Sequence, residues 1–319
     1  MTRELLVLRH GKAEKPMGGG DFEREITDPG KRGAQRIGVW LLRNDLAPDH
    51  VVSSPAERAI ETARKCCKAM GMGAQGIVED QRIYQASKRD LLDVLGAVPA
   101  KAKRVLLVGH NPSLEALVSH LGGMLTGLTT AALARIEMPD DWLRMKKGAG
   151  RIISVTDPKS LPKKFPFPGP GSDDLRDRPA YYYTQSSVIP YRLNKGKPEV
   201  LIIQSSKKKH FVVPKGIKDP GATDQESAAK EAWEEAGVEG KVGADPLGSY
   251  VYDKWGAECT CYVYAMEVTR VLPDDEWHES HRGRQWVTPE DAAANLKQSE
   301  LGPMVLRALH KSVWCDSFD

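Results

Sequence analysis

Residues 4–14 read ELLVLRHGKAE. An unbroken apolar run, Leu5 to Leu8, is followed at once by an arginine, a histidine and a glycine. A short apolar run ending on a polar turn predicts a strand buried on both faces, its carboxyl end opening into a loop. The same pattern recurs at 50–55, HVVSSP, and at 104–110, RVLLVGH. Between these runs the spacing turns helical: 31–42 sets Ile37, Trp40 and Leu41 on one side, and 56–70, 88–98 and 114–121 behave alike. Strands alternating with helices predict an α/β domain with a mainly parallel sheet.

Downstream, five of the chain's 21 prolines fall within 158–170, PKSLPKKFPFPGP. Proline fixes φ and removes donors, so neither a helix nor a central strand is expected there. A semi-stiff linker is expected over 158–178, dividing a domain at 1–157 from one at 179–319. The second half is richer in strands: 181–192, 198–206, 210–216, 248–254 and 259–268 all carry β-branched or aromatic residues. One long helix, 224–236, interrupts them, and two shorter ones near 289–296 and 301–312 follow. This is an α+β pattern.

Composition bounds the function. A chain of 319 residues exceeds one typical domain, and 40% apolar with 28% charged residues is ordinary for globular cores. No apolar run reaches the ~18–20 residues of a membrane span, and the first apolar run is too short for a signal peptide. A net charge of +3 does not imply a nucleic-acid partner. Five cysteines in a chain this long make no disulfide framework, so a reducing cytoplasm is expected. Cys259 and Cys261, alternating on a strand with no second pair at ligand spacing, read as packing.

Arg9, His10 and His110 each follow a predicted strand, and Arg58 opens the helix after another. In open α/β sheets ligands bind beyond the carboxyl ends of strands. Arginine forks bind phosphate oxygens, and an imidazole can attack phosphorus. The two arginines and two histidines therefore suit a phosphate monoester. In the second half, Glu231, Glu234 and Glu235 stand at i, i+3 and i+4 in DQESAAKEAWEEAGV, on one helical face. Carboxylates so placed are either a solvated acidic face or hard oxygen ligands for Mg²⁺ or Mn²⁺. Lys207, Lys209 and Lys215 precede that helix, with Lys208, His210 and Lys218 beside them. Arg282 and Arg284 lie on a later loop with His278 and His281. Convergence of these loops would make a strongly cationic pocket; the bland alternative is a solvated lysine turn. Tyr250, Tyr252 and Trp255 either stack a base or pack in the sheet.

The motifs LRHGKAE, DFEREITDPGKRGA (21–34), SSPAERAIETA (53–63) and LVGHNPSLEAL (107–117) resemble the histidine phosphatase superfamily, in its short SixA-like branch. That resemblance covers 1–157 and implies a three-layer α/β fold. It makes His10 the nucleophile, with Arg9, Arg58 and His110 binding and polarising the phosphate. Many members carry a carboxylate proton donor; the matching stretch here, RIYQAS, offers Gln85 and no acid. A missing donor favours good leaving groups, such as phosphohistidine or a pyrophosphate.

Gly216, position 222 and the run Lys230 to Val238 stand at the spacing of the Nudix box. This second resemblance covers about 180–312. It implies an α+β fold with a mixed sheet between helices, and hydrolysis of a diphosphate by water with divalent metal. Glu231, Glu234 and Glu235 would hold Mg²⁺, with Mn²⁺ as an alternative, and Glu231 would be a ligand or the base. Glu276 and Glu279 are further candidate bases. Ala222 departs from the family's glutamate, and Lys230 from its arginine. The branch acting on diphosphoinositol polyphosphates and dinucleoside polyphosphates is the most similar. Two functions are expected from the pair of resemblances. One is a two-headed hydrolase of small phosphorylated molecules. The other is a phosphohistidine-protein phosphatase whose second half senses a metabolite. Neither calls for a nucleic acid or a membrane.

Overall fold

The computed structural model describes residues 3–15, 20–124, 127–143 and 145–314. The chain divides into two compact units, Met1–Ala180 and Tyr181–Asp319.

The first unit is built on a six-stranded sheet. Its strands are β1 (Arg3–Arg9), β2 (His50–Ser53), β3 (Ile77–Glu79), β4 (Arg104–Gly109), β5 (Leu133–Met138) and β6 (Arg151–Thr156), in the spatial order β3-β2-β4-β1-β5-β6. The first four run parallel; β5 and β6 pair antiparallel at one edge. Four helices cover it: α1 (Asp28–Arg43), α2 (Glu57–Ala69), α3 (Lys88–Gly96) and α4 (Ser113–Gly122). The period of two along β1 makes the three layers. Leu6 and Leu8 pack with Ile37 and Leu41 of α1 and Ala59 and Ala63 of α2. Leu5 and Val7 face the other way, onto Leu91 and Leu95 of α3 and Leu114 and Leu117 of α4.

The proline-dense segment lies inside this first unit rather than spanning between units. Phe165 is buried, and Leu161 packs against the α1–α2 core. Phe165–Pro166 (β7) pairs with Leu175–Arg176 (β8) in a two-residue ladder. Proline bars a long ladder, but it does not bar apolar burial, and the buried Phe165 ties the segment down.

The second unit has an eight-stranded mixed sheet. Its strands are β9 (Thr184–Asn194), β10 (Lys197–Gln204), β11 (Phe211–Val212), β12 (Lys215–Ile217), β13 (Val238–Val242), β14 (Gly248–Lys254), β15 (Ala257–Val271) and β16 (Arg284–Val287). The main path runs β11-β10-β9-β15-β13; β12 pairs with β9, β14 with β15 and β16 with β10. β9 and β15 are parallel neighbours in the middle. Helix α5 (Asp224–Ala236) packs Ala228, Ala232 and Ala236 on one face, against Val188, Leu201 and Met266. Helices α6 (Pro289–Asn295) and α7 (Leu301–Trp314) supply Ala292, Leu301 and Val305 to the opposite core, with Ile189, Ile202 and Val263. The sheet thus lies between helices.

Helices α1 and α2 approach closely at Gly38, where a Cβ would overlap the Cys66 carbonyl and the Ala69 side chain. Alanine gains roughly 1 kcal/mol over glycine in a helix interior, while overpacking costs about 1–3 kcal/mol. The obstruction here is backbone, so overpacking wins. Gly38→Ala is expected to destabilise the first unit by about 1 kcal/mol or more, read as a lowered denaturation midpoint. Gly96→Ala in α3, with only the Leu143 methyl nearby at 3.7 Å, is expected to stabilise it by roughly 0.5 kcal/mol.

Candidate active sites

In the first unit the strand register does the positioning. β1 pairs in parallel with β4 so that Arg9 stands opposite Gly109. The next residue on each strand is a histidine, and the two rings lie 5.1 Å apart between centroids. The neighbouring β2 ends at Ser53, and Ser54, bonded through its amide to Val108 O at 3.0 Å, places its hydroxyl 2.9 Å from His110 Nε2. Helix α2 then brings in Arg58, whose side chain is almost wholly buried. Gly11 lets the loop pass: a Cβ there would strike Ile26 and the Gly30 carbonyl. Its amide donates to Thr62 Oγ1 at 2.9 Å, which ties the loop to α2.

Protonation of His10 follows from its partner. Nδ1 lies 2.8 Å from Gly11 O, a group that only accepts, so Nδ1 carries the proton and Nε2 keeps its lone pair. Burial, then Arg58, Arg9 and Arg24, push the His10 pKa down to about 4; the Gly11 bond opposes them in part. His110 is lowered to about 3, chiefly by burial and then by His10 and Arg58. Around these rings, Arg9 Nε, Arg58 Nε and His110 Nδ1 are buried with no hydrogen-bond partner among the described residues. The Leu128 carbonyl orients the site by accepting from Arg9 Nη1 at 2.7 Å and from Asn111 Nδ2 at 3.0 Å.

All four residues expected from the sequence therefore meet at one place. Four more belong with them: Asp21, Arg24, Ser54 and Tyr84. Asp21 accepts from Arg58 Nη2 at 2.7 Å, Arg24 Nη1 at 2.8 Å and Tyr84 Oη at 3.3 Å, and its backbone carbonyl also accepts from Arg58. Arg24, then Arg58, hold the Asp21 carboxyl down to about 2 against partial burial. Asp21 and Arg24 sit in the DFEREIT stretch, whose paired charges were the available signal. Gln85, the position inspected for a proton donor, has a left-handed backbone with φ 54° and does not supply a carboxylate.

In the second unit, β12 runs beside β9 and lays Gly216 over α5. A Cβ at 216 would overlap the Glu231 carboxylate, so a larger residue there would push that side chain out of place. Glu235 accepts from the Lys215 amide at 3.0 Å and pairs with Arg282. Glu231, Glu235, Glu279, Arg282 and Lys215 line one cleft of about 960 Å³. A second cavity, lined by Lys207, Lys209, His210, Lys215, Lys254 and Lys297, also includes Tyr250 and Tyr252 in its wall.

The NUDIX domain family matches residues 183–307, and the histidine phosphatase superfamily (branch 1) matches 5–84. Nudix hydrolase 12, mitochondrial, of Arabidopsis thaliana is 36% identical, over 37% of this chain and 69% of that protein. Diphosphoinositol polyphosphate phosphohydrolase 2 of Rattus norvegicus is 38% identical, over 31% of this chain and 55% of that protein, so only about half of that relative is spanned. Among solved structures, the protein histidine phosphatase SixA complexed with tungstate is 21% identical with a TM-score of 0.44, over 49% of this chain and 97% of that one.

The chain belongs to the Nudix hydrolases. It carries a histidine phosphatase domain ahead of its Nudix domain.

Within the Nudix domain the expected ligands do not all converge. Glu231 and Glu235 share the cleft, whereas Glu234 turns to Lys230 at 3.7 Å, and among the described residues no three His, Cys, Asp or Glu side chains form a ready metal centre. Like charges one turn apart separate when a cationic side chain is within reach. The donor chemistry nevertheless fits a divalent cation. Burial, then Glu235 and Glu234, push the Glu231 pKa up to about 8, and burial also raises Glu235. A bound cation would relieve both.

The cationic residues divide. Lys207, Lys209 and Lys215 face the lysine-lined cavity, where Lys254 and Lys297 join them from β14 and the α6–α7 turn. Arg282 is in the catalytic cleft but buried, held by Glu235, by Glu279 at 3.0 Å and by the Gln204 carbonyl at 3.0 Å. Arg284 is elsewhere. It caps the end of α5 through the Ala236 and Gly237 carbonyls, at 3.2 and 3.1 Å, and lies against Trp277. A cation at a helix C-terminus meets the unpaired carbonyls there, and spacing along the loop did not reveal that destination. His278, His281 and Glu276 are exposed and line neither cavity. Tyr250 is buried in the core, while Tyr252 bonds Lys215 Nζ at 3.0 Å. Lys230, standing where the family has arginine, pairs with Asp219 at 3.2 Å, three residues before Ala222.

Two outcomes follow for the histidine phosphatase domain. An ordinary imidazole titrates near 6.5, but His10 stays neutral to about pH 4. The acid limb of kcat/KM is expected near pH 4. Because the folded state binds these protons less readily than the unfolded chain, the stability they lend is lost as pH falls from about 6.5 towards 4. Asp21→Asn should free Arg58 and tighten competitive inhibition by inorganic phosphate up to about fivefold, the ceiling for a half-exposed ion pair worth ~1 kcal/mol; unchanged inhibition would show that Asp21 does not compete with phosphate.

Proposed function

We propose that the chain is a two-headed phosphohydrolase acting on small, densely phosphorylated molecules. The observation that carries this reading is the set of buried nitrogens left without partners among the described residues around His10: Arg9 Nε, Arg58 Nε and His110 Nδ1. A phosphoryl group is the acceptor that such a set suits. His10 Nε2 would attack phosphorus as the bond to the leaving oxygen breaks, giving a phosphohistidine. Arg9, Arg58 and His110 would hold the equatorial oxygens, and water would then cleave the phosphorus–nitrogen bond. With Asp21 held ionised by two arginines, the leaving group takes its proton from solvent, which favours leaving groups of low pKa.

For the Nudix domain we infer Mg²⁺-dependent cleavage of a phosphoanhydride. Glu231 and Glu235 would hold Mg²⁺ or Mn²⁺, which when bound supplies charge neutralisation at the bridged phosphates. Gly216 keeps the loop backbone against Glu231, the Lys215 amide and Arg282 orient Glu235, and Glu279 steadies Arg282. Lys207, Lys209, Lys254 and Lys297 suit a substrate with more phosphates than a simple nucleotide sugar. The rat relative is named for its action on diphosphoinositol polyphosphate, which supports that class, and dinucleoside polyphosphates share its chemistry.

One observation favours a second reading. Glu235 is already paired with Arg282, so the ligand set is not assembled in the chain alone. A Nudix domain in that condition would sense a metabolite, with the first domain acting on a phosphohistidine protein.

A panel of dinucleoside polyphosphates, diphosphoinositol polyphosphates and a phosphohistidine protein, assayed with Mg²⁺, separates the two. Glu235→Gln is expected to cut turnover of one diphosphate substrate by about 10²–10⁴-fold, and His10→Ala to abolish release of orthophosphate. If every diphosphate compound survives the wild-type chain, the sensor reading replaces the hydrolase one.

A further inference from the structure

A cleft of about 260 Å³ opens on the first unit, between the second half of α1 and the proline-dense segment. Trp40, Leu161, Phe165 and Pro166 give it aromatic and apolar walls, and Arg36, Arg43 and Lys164 line it as well. No carboxylate lines it.

Basic residues near a helix C-terminus commonly serve the last carbonyls. Here those carbonyls are taken. Asn44 Nδ2 donates to Trp40 O at 2.7 Å, its amide reaches Trp40 O and Leu41 O, and the Asp45 and Leu46 amides serve Leu42 O and Leu41 O. Arg36 Nε is buried and has no acceptor. Burial, then the neighbouring Arg32, hold the Arg36 guanidinium below its ordinary pKa. A half-buried cation with no counter-charge among the described residues is stabilised by a bound anion. An inorganic ion would leave the aromatic wall unused.

We propose that this cleft binds a mononucleotide, its phosphate on Arg36 and Arg43 and its base against Trp40. Guanidinium forks match phosphate oxygens, and an indole face stacks any base. The cleft is distinct from the histidine site. The first turn of α1 supports the Gly11 loop, whereas Arg36 and Arg43 lie roughly 12 and 22 Å farther along the helix at 1.5 Å per residue.

The test is calorimetric titration of adenosine monophosphate into the full-length His10→Ala chain, in which the phosphatase site cannot turn the nucleotide over. Saturable binding is expected. It should weaken at least tenfold in Arg36→Ala/Arg43→Ala and severalfold in Lys164→Ala. Adenosine alone and inorganic phosphate alone should each bind at least tenfold more weakly than the nucleotide. Lys164 lies outside α1, so its variant keeps the test open if the double variant fails to fold. Equal affinity in the cation variants would overturn the proposal. So would phosphate binding as tightly as the nucleotide, since the aromatic wall would then read nothing.

Discussion

The pairing of β1 with β4 is the constraint on which the first unit's chemistry rests. Parallel strands lie under 5 Å apart, and this register sets Arg9 against Gly109, so the residues that follow, His10 and His110, are forced side by side. Neither ring chooses its neighbour. The middles of both strands, Leu5–Leu8 and Val105–Val108, are apolar and fully buried, and a slip of one residue would turn Leu5 and Val7 into the wrong helical layer. The hydrophobic core thereby fixes the register, and the register fixes the site. The second unit works alike. β12 pairs with β9 at Gly216 opposite Ser186, and that pairing brings a bare backbone against Glu231.

Both units then hold charge of one sign close together before a ligand arrives. In the first, Arg9, Arg58 and Arg24 surround two imidazoles that burial has already made neutral. In the second, Glu231 and Glu235 lie half-buried on one helical face, where burial, then their mutual repulsion, raises the Glu231 pKa. Each unit also answers its excess from within its own sequence. Asp21 supplies a carboxylate to Arg58 and Arg24, and Arg282 supplies a guanidinium to Glu235. These internal ions keep the arrangement stable without substrate. They also set a threshold, since a phosphate or a cation must do better than the partner it displaces. The Asp21 pair is half exposed and weak by that measure. Arg282 is buried and bonded three ways, so the cation's threshold is the higher.

Much of this was legible in the sequence because it is local. Buried strands announce themselves as apolar runs, and residues that follow them lie at strand ends by construction. His10, Arg58 and His110 were recoverable on that ground, and Glu231 with Glu235 from helical spacing. What was lost depends on contacts remote in sequence. Asp21 meets Arg58 across 37 residues, and nothing in either stretch specifies the pair. Arg284 sits two residues from Arg282 yet caps α5 instead of facing the cleft, because Arg282 ends a 3₁₀ turn and Gly283, at φ 64°, redirects the chain before β16 begins. Proline over 158–178 confines regular structure to a 3₁₀ turn at Pro158–Ser160 and the two-residue ladder of β7 with β8. The burial of Phe165 and Leu161 decided where the segment lies.

Ala222 shows how a missing residue is weighed by geometry. The family pattern has a glutamate there, and its absence leaves a basic residue on α5 in want of a carboxylate. Lys230 finds one at Asp219 and a second at Glu234. The loop that carries Asp219 is itself held, with the Asp219 amide donating to Ser227 Oγ at 3.1 Å and Lys218 paired to Asp224 at 3.1 Å. The loop is therefore anchored to the helix at three points without residue 222. Lysine is a flexible point charge where arginine is a planar fork, so it can reach a partner displaced along the loop. Lys230, the second departure from the box, therefore serves the loop that carries Ala222 by way of Asp219.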